Sequence, residues 1–432
     1  MKHHVVIKLH RPLQLSERIP YWVDFITDKS VVHEGANAEI DRLMRKLALK
    51  FWLTSEYRLS VPGPSAEEIR EGLNRTYRMV LQEDYDVPAD LAARIRLLPS
   101  VEDARDLEVT EARLPKPQLA TQASVAMASP GDLIHLPVAR MFTRGNGSVT
   151  VAVLDTGVDV DHPVLKGKVK KQKDFVDLEG LDTSEFVGDF TGYDDAADDE
   201  IGHGTHVCGI VAGRPVNMDE GVAPECSLMA VRVLATMKDG DHLVGAGIVD
   251  NINTGIKWAV DNGADVINMS LGIRHTGGGL PHQDVIRYAL SKSVTVVAAS
   301  GNDGTAERYY PGALHGVFAV GATDERGEVA GFTSYGARIT AVAPGSHIYS
   351  SFARHGYAFA SGTSQAAPFV SGAIALMKSY GLDRGIKLTN QLLGKILKHT
   401  SDRVDRNLRS IRAGYGLINL ADAFRLLQYQ LG

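Results

Sequence analysis

The sequence predicts an α/β protein with a mostly parallel sheet, preceded by a small α+β domain. Three short and predominantly apolar segments, residues 149–154, 266–269 and 294–299, are typical of strands buried on both faces. Segments with helical periodicity at residues 244–262 and 284–292 predict helices between these strands. Buried strands that alternate with helices indicate a parallel sheet covered by helices on both faces.

Residues 1–114 differ from the rest of the chain and predict the α+β domain. Residues 5–9 have the composition of a strand, and we expect helices over residues 38–51 and 65–81. The first of these repeats apolar residues at the spacing of one buried helix face. The second opens with the Ser-x-x-Glu pattern of a capping box, which favours the start of a helix.

A segment without periodicity follows this domain. Residues 115–131 begin with Pro-Lys-Pro and continue through small residues to a Pro-Gly pair, which is typical of a linker. We therefore divide the chain into a small domain at 1–114, a linker at 115–131 and a large domain at 132–432.

Charge and cysteine content argue against several classes of protein. The 432 residues carry 46 Lys and Arg against 52 Asp and Glu, a net charge of −6, so a nucleic-acid partner bound through bulk positive charge is not expected. Two cysteines are too few for a disulfide scaffold, and no apolar run approaches the roughly 18 residues of a membrane span. The first residues lack the apolar core of a secretory signal, so we expect a cytoplasmic protein, with secretion as the open alternative.

Four segments place reactive residue types where a strand ends or a helix begins. Asp155 directly follows an apolar strand, and Asn302 lies in a glycine-containing turn after another. His203 follows a glycine and precedes an apolar helix, and Ser364 opens a helix within Gly-Thr-Ser. Because functional residues of parallel α/β sheets gather at the carboxyl ends of the strands, we expect these four side chains to lie together.

These residue types meet the requirements of acyl transfer. A serine hydroxyl becomes a good nucleophile when a base takes its proton, and a histidine is such a base near neutral pH. A buried carboxylate fixes the tautomer of the histidine and stabilises its cationic form. The developing oxyanion needs donors already in place, which the Asn302 amide and the Ser364 backbone N–H can supply.

Three sequence motifs surround Asp155, His203 and Ser364, in this order along the chain. They are Asp-Thr-Gly at 155–157, His-Gly-Thr-His at 203–206 and Gly-Thr-Ser-x-Ala-x-Pro at 362–368. In these motifs the chain resembles the subtilisin-like serine proteases (subtilases), and the likeness extends from about residue 138 to residue 427. The resemblance implies the three-layer subtilisin-like fold. It also implies a serine endopeptidase that hydrolyses peptide bonds through a Ser-His-Asp triad and an acyl-enzyme.

The resemblance implies roles for individual residues. Ser364 would attack the scissile carbonyl, and His203 would act first as base and then as acid. Asp155 would orient His203, and Asn302 would donate to the oxyanion. The substrate-binding residues that the resemblance implies are Ser270, Leu271, Gly272, Gly301 and Asp303.

Residues 1–114 resemble the propeptide of that family, chiefly at residues 98–102. Such a domain assists folding and acts as an intramolecular inhibitor by placing its tail in the cleft. The resemblance therefore implies a self-processing zymogen that is cleaved between about Arg113 and Ala128. The alternative is an unrelated accessory domain that is never removed.

No cofactor is required by this chemistry, and the metal ligands of the family are largely missing. His162-Pro163 is followed by Val-Leu, and the loop at residues 214–220 is short, so we expect the high-affinity calcium site of many secreted subtilases to be absent. An insertion at 174–200 holds 11 acidic residues and no Lys or Arg. A solvated loop is the simpler interpretation. The alternative is that aspartates just before His203 bind calcium or favour basic substrates; they are Asp194, Asp195, Asp198 and Asp199.

Two further predictions concern residues that lie close to His203 and Ser364 in the sequence. We interpret His206 as a packed structural histidine, because no third ligand stands at the spacing of a zinc site. Gln365 stands where many subtilases have an oxidisable Met, so we expect peroxide to inactivate the protein slowly.

Two other classes of protein are the alternatives. One is a peptide-binding scaffold on the same fold without activity, which labelling of Ser364 by a fluorophosphonate would distinguish. The other is a nucleotide-binding Rossmann protein, since it shares the type of sheet. The turn after residues 149–154 lacks Gly-x-Gly-x-x-Gly, which disfavours this second class.

Overall fold

A computed structural model describes residues 3–14, 19–112, 117–119, 129–178, 182–190, 195–240, 242–274, 280–336, 338–404, 406 and 408–432. The first part of the chain forms a small sheet with short helices. Its elements in chain order are β1 (His4–Leu9), α1 (Trp22–Thr27), α2 (Ala38–Lys46), β2 (Phe51–Ser55), α3 (Ala66–Arg70), a 3₁₀ turn (Leu73–Arg75), β3 (Thr76–Leu81), α4 (Leu91–Arg96) and β4 (Val101–Asp106).

This small sheet is antiparallel, with the strand order β2-β3-β1-β4. Apolar side chains from strands and helices form its core, and five that are fully buried are Val5, Ile7, Ile40, Leu53 and Met79. The predicted combination of a small sheet with helices at the start of the chain is confirmed.

The predicted helix over residues 65–81 is wrong in its second half. The capping box at Ser65 forms, but α3 ends at Arg70. Gly72 then has a φ of +77°, a left-handed conformation that interrupts the helix before β3. Because β3 is rich in β-branched and aromatic residues and pairs with both β1 and β2, sheet formation outweighs its helical spacing. The helix predicted over residues 38–51 is also too long, since α2 and β2 occupy its two ends.

The second part of the chain contains the larger sheet. The strands in this part of the chain are β5 (Val109–Ala112), β6 (Gln118–Leu119), β7 (Thr150–Asp155), β8 (Val169–Asp174), β9 (Phe186–Val187), β10 (Ser227–Arg232), β11 (Ala235–Asp239), β12 (His242–Ile248), β13 (Val266–Met269), β14 (Ile273–Arg274), β15 (Thr295–Ala299), β16 (Tyr309–Tyr310), β17 (Phe318–Thr323), β18 (Ile339–Pro344), β19 (Ile348–Phe352) and β20 (Gly356–Ala360). Its helices are α5 (Pro130–Leu133), α6 (Leu136–Ala139), α7 (His203–Ala212), α8 (Val249–Asp261), α9 (Gln283–Ser291), α10 (Thr363–Leu382), α11 (Asn390–Thr400) and α12 (Leu420–Leu431).

Seven of these strands form the central sheet in the order β18-β17-β15-β13-β7-β10-β8. Every adjacent pair among them is parallel. The predicted parallel α/β sheet is therefore confirmed, and its inner strands are buried on both faces, as their apolar composition predicts.

Helices cover both faces of the central sheet, which gives three layers. Val151 and Val153 of β7 pack in one core with residues of α7 and α10. Ala152 and Leu154 of the same strand point to the other face and pack with residues of α8 and α9. Within the described ranges, no helix has both the length and the apolar composition to cross a lipid bilayer.

The predicted helix over residues 244–262 begins later than its spacing indicates. Residues up to Ile248 belong to β12, and the helix α8 starts at Val249. β12 pairs antiparallel with β11 on one side and with β5 on the other. Gly245 and Gly247 lower the helix propensity of this segment, and a β-carbon on Gly247 would collide with the Val233 carbonyl.

Candidate active site

Asp155 is the last residue of β7, between β13 and β10 in the central sheet. It is fully buried, and its Oδ1 accepts a hydrogen bond from the Thr156 backbone N–H at 2.8 Å. The same oxygen lies 2.7 Å from Nδ1 of His203. A carboxylate at Nδ1 favours a proton on that nitrogen, so the neutral ring presents Nε2 without a proton, as a general base requires.

His203 is the first residue of α7 and is buried. The preceding Gly202 has a φ of +95°, and a β-carbon there would lie 2.6 Å from Cζ of Phe352, so this turn requires glycine. Nε2 of His203 has no hydrogen-bond partner among the residues that the structure describes. The ring is thus held from one side and has a free acceptor on the other.

Ser364 is the second residue of α10, and its hydroxyl donates to the Ser270 carbonyl at 2.9 Å. In return, the Ser270 hydroxyl donates to the Ser364 carbonyl at 2.8 Å. Nδ2 of Asn268 donates to the Ser270 hydroxyl at 3.0 Å and orients it. This reciprocal pair joins the first turn of α10 to the chain that leaves β13.

Asn302 lies just beyond β15, and its side chain is oriented by Thr363. The Asn302 Oδ1 accepts from the backbone N–H of Thr363 at 2.8 Å and from its hydroxyl at 2.9 Å. The same hydroxyl accepts from the Gly301 backbone N–H at 3.2 Å. Since the amide oxygen is held by Thr363, the Nδ2 group remains as a donor. Sequence reasoning did not assign Thr363 this role, although it lies inside the Gly-Thr-Ser motif.

Ser364 and Asn302 line one open cleft of about 1170 Å³. All five residues that the sequence predicted to bind substrate also line it, and they are Ser270, Leu271, Gly272, Gly301 and Asp303. The helices α7 and α10, which carry His203 and Ser364 in their first turns, pack against each other. Ser364 and Asn302 thus share the cleft, while Asp155 and His203 are not among its lining residues and are connected to it through the packing of α7 on α10.

The strand β5 occupies part of this cleft. It pairs antiparallel with β12, in a register that places Ala112 opposite Gly245 and Val109 opposite Ile248. Thr110 and Glu111 line the same cleft as Ser364. The segment expected to contain the cleavage point, Arg113–Ala128, lies outside the described residues apart from residues 117–119.

The acidic insertion does not offer a calcium site among its described residues. Asp195 forms an ion pair with Lys173. Both oxygens of the buried Asp199 accept hydrogen bonds, from Thr156, Thr205 and the backbone at Ile201 and Gly202. Asp194 lies outside the described residues. No group of three or more potential metal ligands occurs in the part of the chain that the structure covers, and carboxylates already engaged by donors fit calcium poorly.

Two groups next to His203 are held neutral by burial. Burial lowers the pKa of His206 to about 4, and its Nε2 lies 3.1 Å from the carbonyls of both Ile348 and Ala358. It is a packed structural histidine, as the sequence predicted. Burial also raises the pKa of the Cys208 thiol well above its usual range, so this cysteine is not a reactive thiolate.

Comparisons with known proteins agree on one family. The model of the subtilase family, peptidase family S8, matches residues 146–416. The chain is 37% identical over 284 residues to the thermophilic serine proteinase of Bacillus sp. strain AK1, a match that covers 65% of this chain and 63% of that protein. It is 36% identical over 295 residues to the major intracellular serine protease of Bacillus subtilis strain 168, covering 66% of this chain and 81% of that protein.

A solved structure shows the same fold. The prenylagaramide maturation protease PagA is 30% identical and superposes with a TM-score of 0.54, covering 68% of this chain and 98% of that chain. The fold, the cleft and these matches define a hydrolase of the serine protease class. The chain belongs to the subtilase family of subtilisin-like serine proteases.

Proposed function

We propose that this chain is a serine endopeptidase that hydrolyses peptide bonds in proteins through a Ser-His-Asp triad. Ser364 is the nucleophile, His203 is the general base and acid, and Asp155 orients the ring. The observation that carries the proposal is the 2.7 Å contact between Asp155 and Nδ1 of His203, with Nε2 left free of partners among the described residues.

Acylation begins when the Ser364 hydroxyl exchanges the Ser270 carbonyl for Nε2 of His203. Nε2 takes the hydroxyl proton while Oγ bonds to the scissile carbonyl carbon, and the carbonyl oxygen takes up the negative charge. Nδ2 of Asn302 and the backbone N–H of Ser364 donate to this oxyanion, aided by the N-terminal dipole of α10. The C–N bond then breaks, and His203 gives its proton to the leaving amine.

Deacylation repeats these steps with water as the nucleophile. His203 takes a proton from the water as its oxygen bonds to the acyl carbon, and the same two donors stabilise the second oxyanion. The bond to Oγ breaks, the proton returns to Ser364, and the carboxylic acid product leaves. No metal ion or organic cofactor takes part in either half.

The proposal divides the chain into an inhibitory unit at 1–114, a linker at 115–131 and a catalytic unit at 132–432. Charged pairs join the first unit to α8 and α9 of the third. Arg105 binds Asp250 through two nitrogens, one of them at 3.2 Å from the carboxylate. Three further pairs across the same contact are Lys257 with Glu68 at 2.8 Å, Lys8 with Asp284 at 2.7 Å and Lys292 with Glu67 at 2.8 Å.

A buried cluster strengthens this contact. The side chains of Arg78 and Glu56 are almost fully buried and lie 2.7 Å apart, and Arg78 also donates to Oδ1 of Asn251 on α8 at 3.1 Å. The Arg78 guanidinium lies 3.8 Å from the centroid of the Trp22 ring, a cation–π contact. With its body anchored on α8, the first unit delivers β5 to the substrate cleft as an added strand, which supports a role as intramolecular inhibitor.

Two experiments test the proposal. A fluorophosphonate should label the wild-type protein and leave Ser364→Ala unlabelled, whereas an inactive scaffold would label in neither form. Intact masses of the two proteins should differ by an N-terminal fragment that only the wild type loses. Equal full-length masses would contradict self-processing while leaving the labelling result, and hence the protease itself, intact.

Two further parts of the proposal concern the cellular location of the protein and its need for calcium. We place the protein in the cytoplasm, in line with its relative named as an intracellular protease and with two free buried cysteines; fractionation of the source cells tests this. Calcium is not required, so treatment with EDTA should leave the initial rate of peptide hydrolysis unchanged. Loss of activity that added calcium restores would contradict this part.

A further inference from the structure

The side chain of Tyr309 lies between two glycines that line the cleft. A β-carbon on Gly301 would lie 2.6 Å from Cε2 of Tyr309. A β-carbon on Gly272 would lie 3.1 Å from Cβ and 3.5 Å from Cδ1 of the same residue. The aromatic ring therefore covers the backbone of both glycines and fills the space between them.

The hydroxyl of Tyr309 is held at the rim of this space. It donates to Oδ2 of Asp303, and Nε of Arg274 donates to it at 3.1 Å. Arg274 also forms ion pairs with Asp303 and with Glu307, the second at 3.0 Å. The short strands β14 and β16 pair Arg274 with Tyr309 through the backbone as well. The ring is thus fixed at both of its ends.

The space that Tyr309 fills opens beside the reacting groups. Gly301 directly precedes Asn302, the proposed oxyanion donor. Gly272 lies two residues after Ser270, whose carbonyl accepts the hydroxyl of Ser364. A peptide whose scissile carbonyl lies between Ser364 and Asn302 must direct the side chain of the residue that supplies this carbonyl, P1, towards the two glycines.

We propose that Tyr309 occupies the P1 pocket and restricts this enzyme to peptide bonds that follow a small residue, namely Gly, Ala or Ser. The inference rests on the proposed function, since it assigns the substrate class of the same site. A small side chain fits in the mouth of the filled pocket, whereas a long or aromatic side chain would collide with the ring and would have to displace it. Displacement would break the contacts of the hydroxyl with Asp303 and Arg274.

The charges at the rim do not favour basic residues at P1. The carboxylate of Asp303 contacts the hydroxyl of Tyr309, but it is already engaged by this hydroxyl and by Arg274. A Lys or Arg side chain would have to displace Arg274 from its ion pair. We therefore expect basic residues at P1 to be as poor as aromatic ones.

The experiment measures kcat/KM for tetrapeptide p-nitroanilides that differ only in Ala, Leu, Phe or Lys at P1. For the wild-type protein, Ala should exceed Phe, Leu and Lys by at least about 100-fold, since a filled pocket excludes more than a single extra methylene does. Equal cleavage after Ala and Phe would overturn the inference without any variant being needed.

The variant Tyr309→Ala should open the pocket and raise kcat/KM for the Phe substrate by at least about tenfold. Tyr309→Phe is the matched control, because it keeps the ring and should keep the preference for Ala. Tyr429, which is 82% exposed on α12, provides a second control. Tyr429→Ala should leave the P1 profile unchanged.

Fluorophosphonate labelling of the same samples distinguishes a failure of the pocket inference from a failure of the proposed function. A protein that labels at Ser364 but cleaves after Phe as readily as after Ala overturns the pocket inference alone. A protein that neither labels nor cleaves any of the four substrates overturns the proposed function and the pocket inference together. If Tyr309→Ala fails to fold, the wild-type and Tyr309→Phe profiles still decide between these outcomes.

Discussion

Asp199 accepts two hydrogen bonds from Thr205, one from the backbone N–H at 2.8 Å and one from the hydroxyl at 2.6 Å. Its other oxygen accepts from the Gly202 N–H at 2.7 Å and from the Thr156 hydroxyl at 2.8 Å. The carboxylate therefore joins the first turn of α7, which begins with His203, to the residue that follows Asp155. We infer that Asp199 positions the histidine relative to its carboxylate partner.

The first prediction concerns this positioning. In Asp199→Asn, one oxygen becomes an NH₂ group that faces N–H or hydroxyl donors, so at least one buried donor loses its acceptor. A small displacement of His203 from Asp155 should then lower kcat by about 10- to 100-fold, with little change in KM. Peptide hydrolysis over a range of pH measures both constants.

Asp198 provides the matched control, because it is the adjacent aspartate and is exposed. Asp198→Asn removes the same charge at almost the same distance from the cleft and should leave kcat within about twofold. If both variants lose activity equally, the effect comes from the charge of the insertion and the positioning role is wrong.

The second prediction concerns Thr363, which holds the amide of Asn302. Thr363→Val keeps the shape but removes the hydroxyl that Asn302 and Gly301 both contact, so kcat should fall by about tenfold. Asn302→Ala removes the proposed oxyanion donor itself and should lower kcat by about 100- to 1,000-fold. Because Thr363 acts through Asn302, the double variant should be no slower than Asn302→Ala alone. Additive losses would show that Thr363 acts elsewhere.

The hydrogen-bond partners of Asp199 and Asn302 show which features of the site the sequence could predict and which it could not. Motifs at Asp155, His203 and Ser364 identified the region because the chemistry needs particular residue types at the ends of parallel strands. The count of acidic residues near His203 favours a solvated loop, with a calcium site that includes Asp199 only as an alternative. It could not reveal the donors from Thr156 and Thr205, since those contacts depend on how two separate turns approach each other in the fold.

The same limit applies to the secondary structure and the pocket. The apolar spacing of residues 65–81 is compatible with a helix, and only pairing with β1 and β2 turns its second half into a strand. In the sequence, Tyr309 lies between Asn302 and Pro311. Its place inside the pocket depends on the pairing of β14 with β16 and on its contact with Asp303.

The third prediction tests the contact between the N-terminal unit and α8. Asp250→Asn makes the partner of Arg105 on α8 neutral, while the pair of Arg105 with Asp103 in its own unit remains, so docking should weaken by about 1–3 kcal/mol, a range reduced because Arg105 is partly exposed. The initial rate of peptide hydrolysis by the full chain should therefore rise, since β5 leaves the cleft more often. Asp422→Asn is the control, because Asp422 lies on α12 and pairs with Arg425 of the same helix, away from this contact. An unchanged rate in Asp250→Asn would contradict inhibition through this contact.

The fourth prediction concerns Gln365, which follows the proposed nucleophile Ser364 on α10. Its side chain is fully buried, and neither its oxygen nor its nitrogen has a hydrogen-bond partner among the described residues. Replacement by Met, of similar length, removes this unsatisfied amide and should stabilise the protein by about 1–3 kcal/mol. Thermal unfolding in the Ser364→Ala background, which prevents self-digestion, measures the gain.

Gln365→Met should also change the response to oxidation. Because the new thioether lies next to Ser364, its conversion to a bulkier and polar sulfoxide should block the nucleophile. Peroxide should thus inactivate Gln365→Met several-fold faster than the wild-type protein. Equal rates of inactivation in the two proteins would mean that oxidation elsewhere limits activity.

The fifth prediction concerns stability in acid and depends on His282, which precedes α9. It is buried, its Nδ1 lies 2.7 Å from Oδ1 of Asn253, and burial lowers its pKa to about 4. The nearby Asp250 opposes this shift, and Arg105 reinforces it. In the unfolded chain, the pKa of His282 returns to about 6.5, so between pH 6.5 and 4 only the unfolded chain binds this proton.

The contribution of His282 to folding stability should therefore decrease as the pH falls through this window, by up to about 3 kcal/mol. His282→Gln keeps hydrogen-bonding capacity for Asn253 but does not titrate, so its unfolding free energy should depend less steeply on pH between 4 and 6.5. The remaining slope should combine a decrease from His206, whose pKa is also lowered to about 4, with opposite contributions from Glu56 and Asp174, because burial raises their pKa values to about 7 and about 6. Urea unfolding at several pH values, again in the Ser364→Ala background, measures both slopes. Identical slopes would mean that His282 does not stay neutral in the folded protein, because a group with the same pKa in both states cannot make stability depend on pH.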